Sequence, residues 1–158
     1  MPTQNQSIMR SVELLQSFAS VQKNLYRFVQ KSAAENGLSV PQYTILITLI
    51  SESAMTQKTI GEKTFLPKST LSQAVDGLVK EGLLERQQVE GNRREVMLSV
   101  SEKGIEFIQE LHMKECSVLR IFEGVLDSME QQEEDGLLET HAHINTLLEA
   151  IETEEQLK

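Results

Sequence analysis

The chain has 158 residues, of which 39% are hydrophobic and 25% are charged. This composition is typical of a soluble globular protein with one domain or two small ones. The sequence has no apolar run of about 18 residues, and its polar N-terminus lacks the apolar core of a signal peptide. A single cysteine cannot form an internal disulfide, so we expect a cytoplasmic protein with no membrane partner.

The net charge of −9 is distributed unevenly. Residues 1–39 contain four basic and two acidic side chains, residues 40–100 contain seven of each, and residues 101–158 contain four basic and fifteen acidic side chains. Charges are screened beyond roughly 8 Å at physiological salt, so the acidic total does not exclude a nucleic-acid partner for residues 1–100. We interpret the acidic segment as a solvated helix face; a role in opposing non-specific DNA binding is the alternative.

The N-terminal third predicts two helices. Apolar residues at helical spacing indicate one long helix over residues 6–36, which Gly37 ends. Ser39 and Gln42 have the spacing of a capping box, which predicts the start of a second helix that runs to about Glu52. The apolar residues of the first helix are Leu14, Phe18, Val21, Leu25 and Phe28.

Two short helices separated by a break follow. Thr56 is placed to cap a helix that ends at about Thr64. The pair Leu66-Pro67 then interrupts the chain before a further helix that starts at Lys68 and ends at Gly82. A short helix, a tight break and an amphipathic second helix predict a helix-turn-helix, and Gly61 would let its two helices approach closely.

The helix that starts at Lys68 has two distinct faces. One is an apolar stripe that predicts a buried surface, and the other is short and polar. Hydroxyl, amide and lysine groups at a helix N-terminus suit phosphates and base edges, whereas an ordinary helical hairpin is the alternative. The stripe consists of Leu71, Ala74, Val75 and Leu78. The predicted DNA-binding residues are Lys68, Ser69, Thr70, Ser72 and Gln73.

A β-hairpin is predicted directly after this helix. Residues 84–89 form its first strand, residues 90–93 form the turn, and Val96, Leu98 and Val100 alternate along the second strand. A two-stranded ribbon behind a recognition helix is a wing. Its tip carries Arg93 and Arg94, which suit a phosphate backbone or a minor groove.

The C-terminal region is predicted to form two helices. Ser101 caps a long helix over residues 102–127, and a second covers residues 130–155. Both have apolar faces too broad for a lone solvent-facing helix, which indicates an intersubunit bundle. The predicted fold class is therefore mainly α with a small β-hairpin wing: a winged helix-turn-helix over residues 38–100, with dimerisation helices over residues 1–37 and 101–158.

These segments together resemble the MarR family of bacterial transcriptional regulators. The resemblance implies a homodimer built from the first helix and the last two, a recognition helix over residues 68–81 and a wing arginine at Arg94. It also implies a small-molecule effector pocket between the dimer helices and the winged core. The matching segments are Leu38-Ser39-Val40-Pro41-Gln42-Tyr43, Lys68-Ser69-Thr70-Leu71-Ser72-Gln73, Asp76-Gly77-Leu78-Val79-Lys80-Glu81-Gly82-Leu83-Leu84-Glu85-Arg86, and Arg93-Arg94 through Ser101-Glu102-Lys103-Gly104.

Two residues depart from the family pattern. Asn92 stands where the family has an aspartate that braces the wing arginine, so one charge-assisted contact is lost. Gln73 stands where a basic residue is common, so a sequence preference cannot be transferred. The predicted function is a ligand-responsive repressor that binds double-stranded DNA at a near-palindromic operator. A winged-helix module for protein–protein contact is the alternative.

Enzymatic and metal functions have weaker signals. The segment Gly61-Glu62-Lys63-Thr64 lacks the upstream glycine and the residue order of a phosphate loop, and we expect neither catalysis nor a cofactor. His112 and Cys116 would lie one turn apart on a continuous helix, a spacing that can hold a metal. This leaves a metal- or redox-sensing regulator as a further alternative, although a small buried cysteine in a dimer helix is the simpler interpretation.

Overall fold

A computed structural model describes residues 3–157, which form seven helices and one three-stranded antiparallel sheet. Met1, Pro2 and Lys158, at the ends of the first and last predicted segments, lie outside the described residues. The elements are α1 (Gln4–Glu35), α2 (Val40–Ile50), β1 (Ala54–Thr56), α3 (Gln57–Thr64), α4 (Lys68–Lys80), β2 (Leu84–Val89), β3 (Asn92–Val100), α5 (Glu102–Met113), α6 (Val118–Asp127) and α7 (Gln131–Gln156).

Local capping signals place the ends of several helices. Ser39 Oγ accepts a hydrogen bond from the backbone N–H of Gln42, and the side chain of Gln42 accepts one from the N–H of Ser39. This is the predicted capping box at the start of α2. Gly37 follows α1 with φ +67°, a left-handed conformation that glycine adopts without strain. These starts and stops are confirmed to within about two residues.

The sheet contains one strand more than the predicted hairpin. β3 is its central strand and pairs antiparallel with β2 on one side and with β1 on the other. Met55 of β1 lies opposite Leu98 of β3, and both side chains are buried. The prediction of a two-stranded ribbon was therefore incomplete. Three residues are too few to display an alternating pattern, and the partner of β1 lies more than forty residues away.

The predicted single helix over residues 102–127 was wrong, because α5 ends at Met113 and α6 begins at Val118. Lys114 adopts an extended conformation with ψ 142°. Its Nζ donates to Asn36 Oδ1 at 2.7 Å, which ties the turn to the end of α1. The N–H of Val118 donates to the hydroxyl of Tyr43 at 3.4 Å. Tertiary contacts thus interrupt a segment whose apolar pattern continues through the break.

The chain divides into two compact units, residues 1–120 and residues 121–158. In the first, two apolar clusters form the core. The larger joins α2, α3, α4 and the sheet, and the smaller gathers Ala33, Tyr43, Leu111 and Val118. The second unit contains the remainder of α6 and α7, and none of the α7 side chains is buried.

Residues at the start of α5 form hydrogen bonds with the segment that follows α4. Lys103 Nζ donates to the carbonyl of Glu81 at 2.6 Å, and Ser101 Oγ donates to the carbonyl of Gly82 at 2.5 Å. The N–H of Ser101 donates to the carbonyl of Leu83 at 3.1 Å. Three successive carbonyls just after α4 therefore accept hydrogen bonds from the start of α5. We call this set of contacts the α5 clamp.

Gly104 allows the close approach that the α5 clamp requires. A Cβ atom at this position would collide with the backbone carbonyl of Leu83 and lie 2.7 Å from Val100 Cγ1. Because one of these atoms is backbone, the collision cannot be relieved by turning a side chain. This position therefore needs glycine for packing, although it lies inside a helix, where glycine is otherwise unfavourable.

We predict that Gly104→Ala lowers the free energy of unfolding by about 2 kcal/mol, the usual effect of overpacking. Gly136→Ala in α7 is the matched control, since nothing lies within 4 Å of a Cβ built there. It should leave stability unchanged or raise it by up to about 1 kcal/mol. Denaturant unfolding measures both. Equal stability of the two variants would contradict the tight contact at Gly104.

Candidate nucleic-acid interface

The helix-turn-helix is formed by α3, the turn at residues 65–67 and α4. Thr56 Oγ1 caps α3 by accepting from the N–H of Thr59 at 3.1 Å. A Cβ built at Gly61 would lie 3.1 Å from Leu71 Cδ2, so the two helices approach closely at this glycine, as predicted. Across the pair, Gln57 Nε2 donates to Ser72 Oγ at 3.4 Å. The segment Gly61–Thr64 lies inside α3, not in a phosphate-binding loop.

The structure separates the faces of α4 as the sequence predicts. The apolar stripe is buried against the core. On the opposite side Lys68, Ser69 and Gln73 are exposed, whereas Thr70 and Ser72 are half-buried. Ser72 is the predicted DNA-binding residue that already has a protein partner, Gln57.

The N-terminus of α4 offers free backbone donors. Pro67 occupies the N-cap position, and among the described residues no side chain caps the helix. The first N–H groups of a helix have no carbonyl partners within it and attract anions. No acidic residue lies in this first turn. The start of α4 is therefore suited to a phosphate group.

The wing is the hairpin of β2 and β3. Gly91 has φ +83° at the turn, and Asn92 begins β3. Asn92 Oδ1 accepts a hydrogen bond from the backbone N–H of Arg94 at 3.0 Å. The asparagine thus braces the backbone of the wing. Arg93 and Arg94 are both exposed.

The helix and the wing border a common concave surface. Lys68 of α4 and Arg94 of β3 line one cavity of about 660 Å³, together with Lys58 of α3. Its apolar lining includes Leu66 and Val96. The structure therefore brings together one predicted helix residue and one predicted wing residue. The other predicted residues do not line this cavity.

An ion pair that the sequence pattern did not reveal joins α4 to the wing. Arg86 Nη2 of β2 lies 2.5 Å from Asp76 Oδ1 of α4. The two residues are ten positions apart and belong to different elements, so no helical or strand spacing relates them. The pair is an exposed link between the hairpin and α4.

The proposed metal ligands do not form a metal centre. The helix ends at Met113, so His112 and Cys116 are not one turn apart on a common helix. Within residues 3–157, no group of three or more histidine, cysteine or acidic side chains could hold a metal ion. The spacing that motivated the metal-sensing alternative is therefore absent.

Cys116 has surroundings that oppose thiolate formation. Its thiol donates a hydrogen bond to the Glu35 carboxylate, which raises the pKa of Cys116 above its ordinary value, and desolvation by burial raises this pKa further. The thiolate is the form that oxidants attack. Cys116 is thus held as the less reactive thiol, in the turn between α5 and α6 and not in a helix.

Comparison with known proteins shows similarity to one family. Residues 36–95, which contain the helix-turn-helix and most of the wing, match the model of the MarR family. A relative from Bacillus subtilis (strain 168), the organic hydroperoxide resistance transcriptional regulator, is 27% identical over 114 residues, which cover 72% of each chain. These comparisons show that the chain is similar to MarR-family transcriptional regulators.

Solved structures at about 20% identity share the fold. AbsC, a MarR family transcriptional regulator from Streptomyces coelicolor, is 20% identical and superposes with a TM-score of 0.68, covering 95% of this chain and 98% of AbsC. Reduced AbfR bound to DNA is 22% identical, with a TM-score of 0.64 and coverage of 93% and 99%. The winged helix-turn-helix fold is thereby confirmed. None of the helices in residues 3–157 combines the length and apolar character needed to cross a bilayer.

Proposed function

We propose that this protein is a member of the MarR family and a cytoplasmic repressor, which binds a near-palindromic operator as a homodimer and releases it when a small molecule binds. The observation that carries the proposal is the concave surface shared by Lys68 and Arg94. A phosphate at the uncapped start of α4 and a second phosphate or minor groove at the wing would be contacted together. Gln73, exposed on α4, can form a bidentate pair with adenine.

We predict different effects for Arg94→Ala and Gln73→Ala. Arg94→Ala removes a phosphate contact, so it should weaken binding to all duplexes and reduce the slope of log affinity against log salt by about 1. Gln73→Ala should reduce the discrimination between bases at one position by about 1–3 kcal/mol. It should leave the salt slope unchanged. Fluorescence anisotropy, with a duplex that the wild-type protein selects from a random library, measures both.

Lys23→Ala in α1 is the control for loss of a positive charge, because Lys23 lies outside the helix-turn-helix and the wing. It should leave affinity and salt slope unchanged. If the wild-type protein selects no duplex, the protein is a module for protein–protein contact and the proposal is wrong.

A homodimer is supported by the exposure of α1. Every residue from Gln4 to Arg27 is exposed in the protomer, including Leu14, Phe18 and Val21 of the apolar stripe. An apolar stripe of this length is unusual on a monomer, and an isolated helix gains little stability in water. The second unit also exposes leucines, among them Leu138 and Leu148 of α7. Two copies that cover these faces would place two recognition helices about 34 Å apart.

Leu14→Glu should convert the dimer to a monomer, because it introduces a charge into the apolar stripe of α1, and should abolish binding to the selected duplex. Gln16→Glu adds the same charge on the opposite side of the helix and should preserve both properties. Light scattering at micromolar concentration gives the mass. A wild-type mass equal to one 17.9 kDa chain would contradict the homodimer.

An effector pocket is supported by buried hydroxyl groups beside the smaller core cluster. Ser32 Oγ and Ser117 Oγ are fully buried and have no hydrogen-bond partner within residues 3–157. Buried polar atoms without partners are rare in folded proteins. A small polar molecule that opens this region would satisfy them, and it would lower DNA affinity if it binds the DNA-free conformation more tightly.

A thermal-shift screen of small organic acids and phenols tests this part of the proposal. A ligand of this site should raise Tm, weaken DNA binding and lose both effects in Ser32→Ala. Ligands that raise Tm without changing DNA affinity would contradict an effector role. The name of the Bacillus subtilis relative refers to organic hydroperoxides. The protonated state of Cys116 does not favour a thiol-based sensor of that kind here.

A further inference from the structure

Phe65, in the turn between α3 and α4, has both an unfavourable backbone and an unfavourable side-chain environment. Its φ of 55° and ψ of 21° are left-handed, and no other non-glycine residue in the range 3–157 has a positive φ. Bulky L-residues are disfavoured in this region, which glycine and asparagine tolerate better. The side chain is 90% exposed, so packing does not compensate for the strain.

The turn itself does not require an aromatic ring. The N–H of Phe65 donates to the carbonyl of Gly61 at 3.0 Å, a backbone contact that closes the end of α3 and that any non-proline residue would make. The neighbouring Leu66, not Phe65, packs against the core. A glycine would therefore form this turn with less strain and without exposing apolar surface. Strained residues persist most often where they serve a binding or catalytic function.

The position of Phe65 limits what the ring can bind. It lies three residues before Lys68, and Leu66 between them lines the cavity that Lys68 and Arg94 share. An exposed aromatic ring beside the cationic start of a recognition helix is suited to the apolar atoms of DNA. These are the 5-methyl group of thymine and the carbons of deoxyribose.

We propose that Phe65 is a DNA-contacting residue, whose ring packs against thymine 5-methyl or deoxyribose carbons at the edge of the groove that α4 enters. This inference rests on the proposed DNA-binding function and adds a contact that carries no charge. It gives the helix-turn-helix an apolar contact beside its phosphate contacts. Because the ring displaces no counterion, its contribution should be independent of salt.

Phe65→Ala and Phe65→Gly test the proposal as a pair. Both remove the ring, but only glycine relieves the left-handed strain. Each should lower affinity for the duplex selected by the wild-type protein by about fivefold to tenfold, the effect of losing roughly half the burial of a phenylalanine. The salt slope should stay at the wild-type value, in contrast to Arg94→Ala. The Tm of Phe65→Gly should be equal to or above that of wild type, and Phe65→Tyr should retain affinity.

The outcomes separate this inference from the function on which it rests. Wild-type affinity in both Phe65→Ala and Phe65→Gly would overturn the contact while leaving the DNA-binding function intact. A change from dimer to monomer in these variants would also overturn it, since the ring would then be a subunit contact. Failure of the wild-type protein to bind any duplex would overturn both proposals.

Replacing each thymine of the duplex by deoxyuridine locates the contact. If wild type and Phe65→Ala bind one of these substituted duplexes with equal affinity, the ring packs on the methyl group of the thymine that was replaced in it. A difference that persists with every substituted duplex would support packing on deoxyribose.

Discussion

The α5 clamp is the contact on which the geometry of the interface depends. The last carbonyls of a helix have no partners within it. Just beyond the end of α4, the carbonyls of residues 81–83 accept hydrogen bonds from Ser101 and Lys103. Gly104 lets α5 lie directly against Leu83. The residues that follow α4 are thereby held against the start of α5.

The two ends of α4 differ, and the difference suits the binding of an anion at the N-terminal end. Its C-terminal end is held by the α5 clamp, whereas its N-terminal end has no side-chain cap among the described residues and carries exposed Lys68 and Ser69. Fixing one end orients the free backbone donors of the other, so little conformational entropy remains to be lost when an anion binds. The strained turn at Phe65 lies at this free end, next to the surface that Lys68 shares with Arg94.

The sequence predicted the features that depend on neighbouring residues. The capping pair Ser39 and Gln42, the cap at Thr56 and the left-handed Gly82 each act within a few positions, and the structure contains all three. It did not predict β1, the turn at residues 114–117, the α5 clamp or the pair of Asp76 with Arg86. Each of these joins segments that are distant in sequence, where neither periodicity nor capping carries a signal. The strain at Phe65 was missed because a lone aromatic residue in a break resembles ordinary core sequence.

The pair of Asp76 and Arg86 also explains how an acidic residue can stand on the recognition helix. Asp76 projects from the exposed side of α4 and would repel phosphates if it were unpaired. Arg86 lies 2.5 Å away and offsets its charge, while it also ties the wing to α4. Three cations, Lys58, Lys68 and Arg94, line one concave surface together with the carboxylates Glu62 and Glu95. Local pairing and placement, and not the net charge of −9, therefore set the potential that a phosphate would meet there.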